Sequence, residues 1–283
     1  MSESVLVVTV THNSGESLDA FLDSVSQACE TRHVSVVIVD NASTDLTAIR
    51  VSAARVGATL VESAKNLGYG GGISLGVDSF PFDSEYIVIS NPDVTFHPGA
   101  IDALIREADR LATAGSLGPQ ILDATGGVYP SARNLPSLST GIGHAVLGRL
   151  WPTNPWSRRY RADENHPSLQ RDAGWLSGAC LLVRRSAYDS VGGFDSSYFM
   201  YFEDVDLGAR LAQAGWRNIY VPTSVVTHTG AHSTAHTATQ MERIHHKSAY
   251  LYLTRKYSSW YLSPVRLFAR VALAARQWWV TRL

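Results

Sequence analysis

The sequence predicts an α/β protein: a mostly parallel central sheet with flanking helices, followed by a basic helical extension. Two observations carry that expectation. Short, β-branched apolar runs at residues 5–10, 34–39, 58–61 and 86–90 alternate with segments of helical apolar spacing. From Gln240 to Leu283 the chain holds eight Lys/Arg against one acid, a net +7, so residues 1–239 carry −8. The 283 residues are 45% apolar and 17% charged, enough to bury a sizeable core and too ordered in pattern for wholesale disorder. A total charge of −1 argues against a globally basic nucleic-acid binder.

The elements follow in order. Residues 5–10 form the first buried strand. Leu18, Phe21, Leu22 and Val25 give residues 16–28 one apolar helical face. The strand at 34–39 ends in Asp40-Asn41, and Ser43 or Thr44 can cap a helix from Asp45 to about Arg55. After the strand at 58–61, a glycine-rich turn at 65–72 leads into a helix to about Phe80. The strand at 86–90 delivers Asn91-Pro92-Asp93, and Pro98 opens a helix to about Thr113. In such sheets ligands bind at the C-terminal ends of the strands, where Asp40 and the Asn91–Asp93 turn stand.

The second half changes character. Residues 126–172 are rich in Pro, Ser, Gly and Arg and read as a long loop, functional or disordered, with a short helix near 142–150. Residues 175–183 are strand-like, 186–191 make a short helix, and Gly192-Gly193 ends it. An aromatic run, residues 198–202, leads to Glu203-Asp204 and a helix at 205–214. Short strands at 217–220 and 225–228 follow. Beyond Ala238 the pattern is helical to the end, broken near Pro264. No internal repeat is present.

Several residues are candidates for chemistry. A carboxylate at Asp40 can accept the N3–H of uracil or thymine, which cytosine lacks; it can equally cap its own turn. The segment Lys65–Gly72 invites a dinucleotide reading and fails it: the third glycine falls on Ile73 or Leu75. A helix start there can still approach a diphosphate, or the glycines can simply pack a helix on the sheet. Asp93 offers a hard oxygen to Mg2+ or Mn2+, although Asn-Pro-Asp is also an ordinary turn. Glu203, Asp204 and Asp206 crowd a helix start, where acids are common; the apolar approach suggests a partly buried pair fit for general-base work. His228 ends a strand and is a candidate metal ligand, whereas His232 and His236 fit a glycine- and serine-rich loop. Tyr252, Tyr257, Trp260, Tyr261, Trp278 and Trp279 lie among the basic tail residues, a composition suited to an anionic membrane interface or to a helix packed on the body. Two cysteines fit a reducing cytoplasm, and residues 1–3 run into a strand rather than into a basic, apolar leader.

The order of these motifs is more specific than any one of them. Thr9-Val10-Thr11-His12-Asn13, Val39-Asp40-Asn41-Ala42-Ser43-Thr44-Asp45, Asn66-Leu67-Gly68-Tyr69-Gly70 and Asn91-Pro92-Asp93 come first. Trp175-Leu176-Ser177-Gly178, Phe202-Glu203-Asp204 and His228 follow. The ordered set resembles inverting family 2 glycosyltransferases of the GT-A fold, above all bacterial rhamnosyltransferases acting on polyprenyl-diphospho-N-acetylglucosamine.

The resemblance implies a divalent metal, Mg2+ or Mn2+, a nucleotide-diphospho-sugar donor, a lipid-linked saccharide acceptor and one inverting displacement. It implies donor contacts at Thr11, Asp40, Asn66, Gly68, Asn91 and Asp93. Trp175 and Gly178 would line the sugar and acceptor, Asp204 would be the general base with Glu203 beside it, and Asp93 and His228 would hold the metal. Asn91 stands where relatives often carry a first acid, and Ile73 and Ser74 where they often carry Asn. The implied division is a catalytic unit at 1–237, with a nucleotide-sugar half at 1–115 and an acceptor half at 116–237, then a membrane-interface tail at 238–283. The expected place is the cytoplasmic face of the membrane. A UDP-sugar donor, such as UDP-galactofuranose, and a non-catalytic glycan- or nucleotide-binding module remain the alternatives; no oligomeric state follows.

Overall fold

The structure, a computed structural model, describes residues 4–13, 15–80, 84–137, 168–230, 238–268 and 270–271. The expected alternation holds through the first half. Strands β1 (Ser4–Thr11), β2 (His33–Asp40), β3 (Thr59–Glu62) and β4 (Tyr86–Ser90) pair in parallel in the order β3-β2-β1-β4. Helices α1 (Gly15–Ala28), α2 (Thr47–Val56) and α3 (Gly68–Asp78) connect them. Two buried clusters lie one on each face of the sheet: Val5, Val7, Leu18 and Phe21 in one, Leu6, Val8, Ile73 and Val77 in the other. Alternate residues of β1 therefore serve opposite layers.

Glycines bring α3 down onto that sheet. A Cβ at Gly76 would lie 2.6 Å from Val8 Cγ1, and one at Gly72 would lie 2.9 Å from Val10. Packing is thus one job of the glycine-rich segment.

The sheet then continues through the strands expected near 175–183, 217–220 and 225–228 and through shorter ones the sequence pattern does not announce. A three-residue strand, β5 (Val94–Phe96), follows the Asn91–Asp93 turn, and α4 (Ala100–Arg110) leads to β6 (Ala114–Leu122). Short strands β7 (Val128–Tyr129), β8 (Ala132–Arg133), β9 (Arg171–Ala173) and β10 (Trp175–Leu176) precede β11 (Cys180–Arg184). After α5 (Arg185–Ser190) and α6 (Glu203–Gln213) comes β12 (Arg217–His228). The full path is β3-β2-β1-β4-β11-β6-β12-β5, with β11 and β5 antiparallel to their neighbours. The sheet is mostly parallel, as expected, and becomes mixed at its second half. The separate segment β8–β10 forms a small antiparallel pair.

Four local expectations need correction. Ser43 and Thr44 do not cap α2: Ser43 bonds Asp40, Thr44 bonds Asn13, and Asp45 accepts the Thr47 N–H at 2.8 Å instead. The run 175–183 is broken at 177–179, because those residues turn out to serve other partners. The two strands at 217–220 and 225–228 are one, with a register shift between Val221 and Val225. The tail helix α7 (Ala238–Lys256) breaks at 257–259 rather than at Pro264. Pro264 instead sits in the first turn of the next helical stretch, 263–268, where its missing N–H costs nothing. The short helix expected near 142–150, His232, His236 and Trp278-Trp279 lie outside the described residues.

The basic segment is not a free appendage where it is described. Tyr252 of α7 is buried in one cluster with Tyr198, Val205 and Ala209, joined by Leu135, Trp175 and Phe202. Ser248 Oγ donates to the Met200 carbonyl at 2.8 Å. Arg255 pairs with Asp195 and lies over the Tyr198 ring at 5.2 Å. No described helix is long and apolar enough to cross a membrane.

Candidate active site

The C-terminal ends of β1, β2 and β4 put Thr11, Asp40 and Asn91 on one rim of the sheet. Thr11 and Asp40 are register partners and both are buried. Asp40 Oδ2 accepts the Ser43 N–H at 3.0 Å, its Oδ1 accepts the Ser43 hydroxyl, and Thr11 Oγ1 approaches Oδ1 at 3.4 Å. The carboxylate therefore shapes its own turn as well as facing the rim.

Asn41, which the residue pattern marked only as part of a motif, ties that rim to the glycine turn. Its Nδ2 donates to Asn66 Oδ1 and to the Gly68 carbonyl, both at 3.0 Å, and its Oδ1 accepts the Leu67 N–H at 2.8 Å. Asn66 Oδ1 also accepts the Gly68 N–H at 2.9 Å. Gly68 has φ +76°, and a Cβ there would lie 1.9 Å from the Phe199 carbonyl oxygen. That carbonyl accepts the Tyr69 N–H at 2.9 Å, so the glycine turn is docked on the aromatic loop preceding α6.

The acid pair lies across the rim. Glu203 and Asp204 open α6, and the two residues before them, Tyr201 and Phe202, have φ +65° and +68°. A left-handed pair of aromatic residues is strained and holds only where its surroundings over-determine it. Here His245 of α7 meets both rings edge-on at centroid distances of 5.4 Å, and Phe202 packs on Tyr252. Asp204 is held by the Gly178 N–H at 3.0 Å and the Val205 N–H at 2.8 Å. Gly178 is held in turn by Tyr69, whose hydroxyl donates to its carbonyl at 2.5 Å. Trp175 lies three residues back, its Nε1 donating to the Asn134 carbonyl at 3.1 Å. The expected strand is broken at 177–179 because Gly178 bonds Tyr69 and Asp204 while Ala179 O accepts the Asn91 N–H.

Burial dominates the electrostatics of this pair. It pushes Glu203 up to about 8, with the Asp204 charge adding to the effect, and Glu203 Oε2 is buried with no partner among the described residues. Asp204 is also raised by burial, opposed by the two N–H groups it accepts. Tyr69 is held well above its ordinary value, first by burial and then by Glu203, so it stays a hydroxyl donor at any working pH.

A third group gathers at β5. Pairing of His228 with Val94 brings the imidazole to the Asn91–Asp93 turn. His228 Nε2 lies 3.1 Å from Asp93 Oδ1 and 3.3 Å from Asn91 Nδ2. Thr229 donates to the Asp93 carbonyl through both N and Oγ1 at 3.2 Å, which fixes the turn. Among the described residues no cluster of three or more His, Cys, Asp or Glu side chains forms a metal cage. The structure thus assembles Thr11, Asp40, Asn66 and Gly68 on one side, Asn91, Asp93 and His228 on a second, and Gly178, Glu203 and Asp204 on a third.

Known proteins share this architecture and sequence. N-acetylglucosaminyl-diphospho-decaprenol L-rhamnosyltransferase of Mycobacterium tuberculosis (strain ATCC 25618 / H37Rv) is 46% identical over 285 residues, 98% of this chain and 92% of that one. Rhamnosyltransferase WbbL of Escherichia coli K12 is 32% identical over 177 residues, 62% of this chain and 64% of that one. Among solved structures, the mannosyltransferase PcManGT from Pyrobaculum calidifontis, in complex with GDP-Man and Mn2+, superposes with a TM-score of 0.61 at 17% identity, over 97% of this chain and 71% of that one. That likeness establishes the GT-A-type fold. Residues 3–245 match the profile of the glycosyltransferase like family 2, a span that takes in every rim residue described above, and the chain is a member of that family of enzymes.

Proposed function

We propose that this chain transfers L-rhamnose from dTDP-rhamnose to a polyprenyl-diphospho-N-acetylglucosamine in cell-envelope polysaccharide synthesis. The observation that carries the reading is the buried Glu203–Asp204 pair facing the sheet rim, on a chain 46% identical over almost its whole length to a rhamnosyltransferase named for that class of acceptor. Asp204 is the general base. Its two backbone hydrogen bonds favour the carboxylate against burial and leave it able to take a proton from an acceptor hydroxyl. Attack from that side displaces the diphosphate in one step and inverts the anomeric centre, so a β-L-rhamnosyl donor gives an α-L-rhamnoside. Glu203 is mostly protonated near neutrality and offers its buried carboxyl as a donor to the sugar or acceptor. Thr11, Asp40, Asn66 and Gly68 form the nucleotide and diphosphate side, and Trp175 and Gly178 line the sugar and acceptor side.

Asp93 and His228 fit a divalent cation, Mg2+ or Mn2+. Their side chains meet at 3.1 Å, and a carboxylate oxygen and an imidazole nitrogen are donors such an ion would accept. Asp93 and His228, with Asn91 beside them, would hold the ion next to the proposed diphosphate side of the rim. When bound, the ion neutralises charge developing on the leaving diphosphate.

The basic segment after α7 presents Trp260, Tyr261, Leu267, Phe268 and Val271 to solvent beside Arg266 and Arg270. That composition supports peripheral attachment to an anionic cytoplasmic leaflet. The test of function is transfer itself: purified protein, Mg2+, labelled dTDP-rhamnose and a polyprenyl-diphospho-N-acetylglucosamine. A rhamnosylated lipid, formed from dTDP-rhamnose in preference to UDP-sugars and abolished by chelator, is expected. Preference for a UDP-sugar, or activity indifferent to chelator, would overturn the donor or the metal assignment respectively.

A further inference from the structure

A lipid-diphospho-sugar has a fixed order of parts. The reacting hydroxyl lies on the sugar, the diphosphate is one sugar ring away, and the lipid follows. A site for it needs a base, then a cation without a carboxylate partner, then a route to the lipid surface. The structure contains such a cation, Arg133, on a segment that touches both the helix bearing Asp204 and the basic tail.

Arg133 lies on β8, in register with Trp175 of β10. Its guanidinium carbon sits 5.9 Å from the Trp175 ring centroid and 5.6 Å from that of Tyr129. Its Nε donates to the Pro130 carbonyl at 2.8 Å. That leaves the two terminal nitrogens, and among the described residues Arg133 forms no ion pair. Buried or half-buried arginines normally find a carboxylate; one held by aromatic faces and a carbonyl is oriented but not neutralised. The strand is clamped in place: Gly174 N–H donates to the Arg133 carbonyl at 2.9 Å, and Ser177 N–H donates to the Ser131 carbonyl at 2.8 Å.

Its neighbours supply the two flanking parts. On one side, the β10 segment continues within two residues to Gly178, whose N–H holds Asp204. A Cβ at Gly208 of α6 would lie 2.8 Å from Trp175 Cβ, so the tryptophan packs directly on the helix that carries the base. The Arg133 charge is among those that favour the Asp204 carboxylate. On the other side, the same segment is tied to the tail: Lys256 Nζ donates to the Pro136 carbonyl at 2.6 Å, and Leu135 packs in the cluster with Tyr252.

We infer that Arg133, held between Trp175 and Tyr129, binds the diphosphate of the lipid-linked acceptor. This rests on the transferase reading above and names the group that selects its acceptor. A forked guanidinium suits phosphate oxygens, and the aromatic walls fix its plane before the ligand arrives.

The test compares two acceptors of equal chain length: a short polyprenyl-diphospho-N-acetylglucosamine and a neutral alkyl N-acetylglucosaminide. Wild type is expected to favour the diphosphate strongly in kcat/KM. Arg133→Gln should lose at least tenfold more on the diphosphate acceptor than on the neutral one, through KM, and Arg133→Lys should recover part of it. Calorimetric binding of dTDP should be the same in all three proteins, which separates acceptor from donor phosphates. Equal losses on both acceptors, or weakened dTDP binding, would overturn the assignment. If wild type transfers to neither acceptor, the transferase reading fails, and this inference with it.

Discussion

The donor rim and the acid pair solve the same problem in opposite ways. On the rim, buried polar groups satisfy one another: Asp40 is bonded by Ser43, Asn41 bridges Asn66, Leu67 and Gly68, and the left-handed residues just past the strand ends, Asn13 and Ala42, carry small side chains. At the acid pair, Glu203 Oε2 has no partner among the described residues, burial raises both carboxyls, and the preceding two residues are left-handed. On the function proposed above, the first region is the surface that would meet the nucleotide, with its polar groups already paired. The second keeps an uncompensated polar group and strained backbone, which a bound substrate can relieve. On the same proposed function, that difference separates binding from chemistry.

Mutations can break that comparison. Asp204→Asn should lower turnover about 10²–10⁴-fold, the span of general acid–base catalysis, while dTDP affinity stays within twofold. Loss of dTDP binding in the folded variant would show that the two regions are not separable. Next in size, Asp93→Asn or His228→Ala should weaken Mn2+-dependent dTDP binding about 10–100-fold by calorimetry. Binding without metal should not change; if it falls as far, these residues hold the nucleotide and not an ion.

Two smaller effects sharpen the contrast through stability. Gly68→Ala puts a methyl on the Phe199 carbonyl at positive φ, and should cost more than about 2 kcal/mol by denaturant titration. Gly57→Ala, also at positive φ but in open space, should cost less. The smallest effect concerns pH. Because Glu203 is raised to about 8 in the folded protein, the folded state holds a proton that the unfolded chain loses near 4.5. Its contribution to stability therefore falls as pH rises from about 4.5 to 8. Glu203→Gln removes that dependence, so its Tm relative to wild type should be higher at pH 8 than at pH 5. A constant difference across the range would mean that Glu203 titrates normally.

Much of this was legible in the sequence where periodicity is strong. The first four strands and their helices follow from β-branched runs and one-sided apolar faces. β6 is a central strand that its own residues disguise: Ala114-Gly115-Ser116-Leu117-Gly118-Pro119 reads as a turn. The glycines are there because Trp216 and Leu176 lie where their Cβ atoms would be, at 2.6 and 3.0 Å. Pro119 is tolerated because β11 pairs with β6 only at Ser116 and Leu117. β5 is three residues long, too short for any period. At the site, the acids and His228 could be singled out from their place at element ends. The left-handed turn at Tyr201-Phe202, the Tyr69–Gly178 bond and Arg133 could not, because each depends on a partner far along the chain. Arg133 falls in a stretch whose Pro, Ser, Gly and Arg content reads only as loop.

The brace that α7 places behind Tyr201 and Phe202 also sets an order of assembly. A chain leaves the ribosome N-terminus first. The last described strand of the sheet ends at His228, so every described strand exists before His245, Ser248 and Tyr252 emerge. During synthesis every residue of the proposed nucleotide rim therefore precedes the support of the strained turn ahead of Asp204. On the function proposed above, catalytic competence would be timed to the arrival of the same basic stretch proposed to meet the lipid surface.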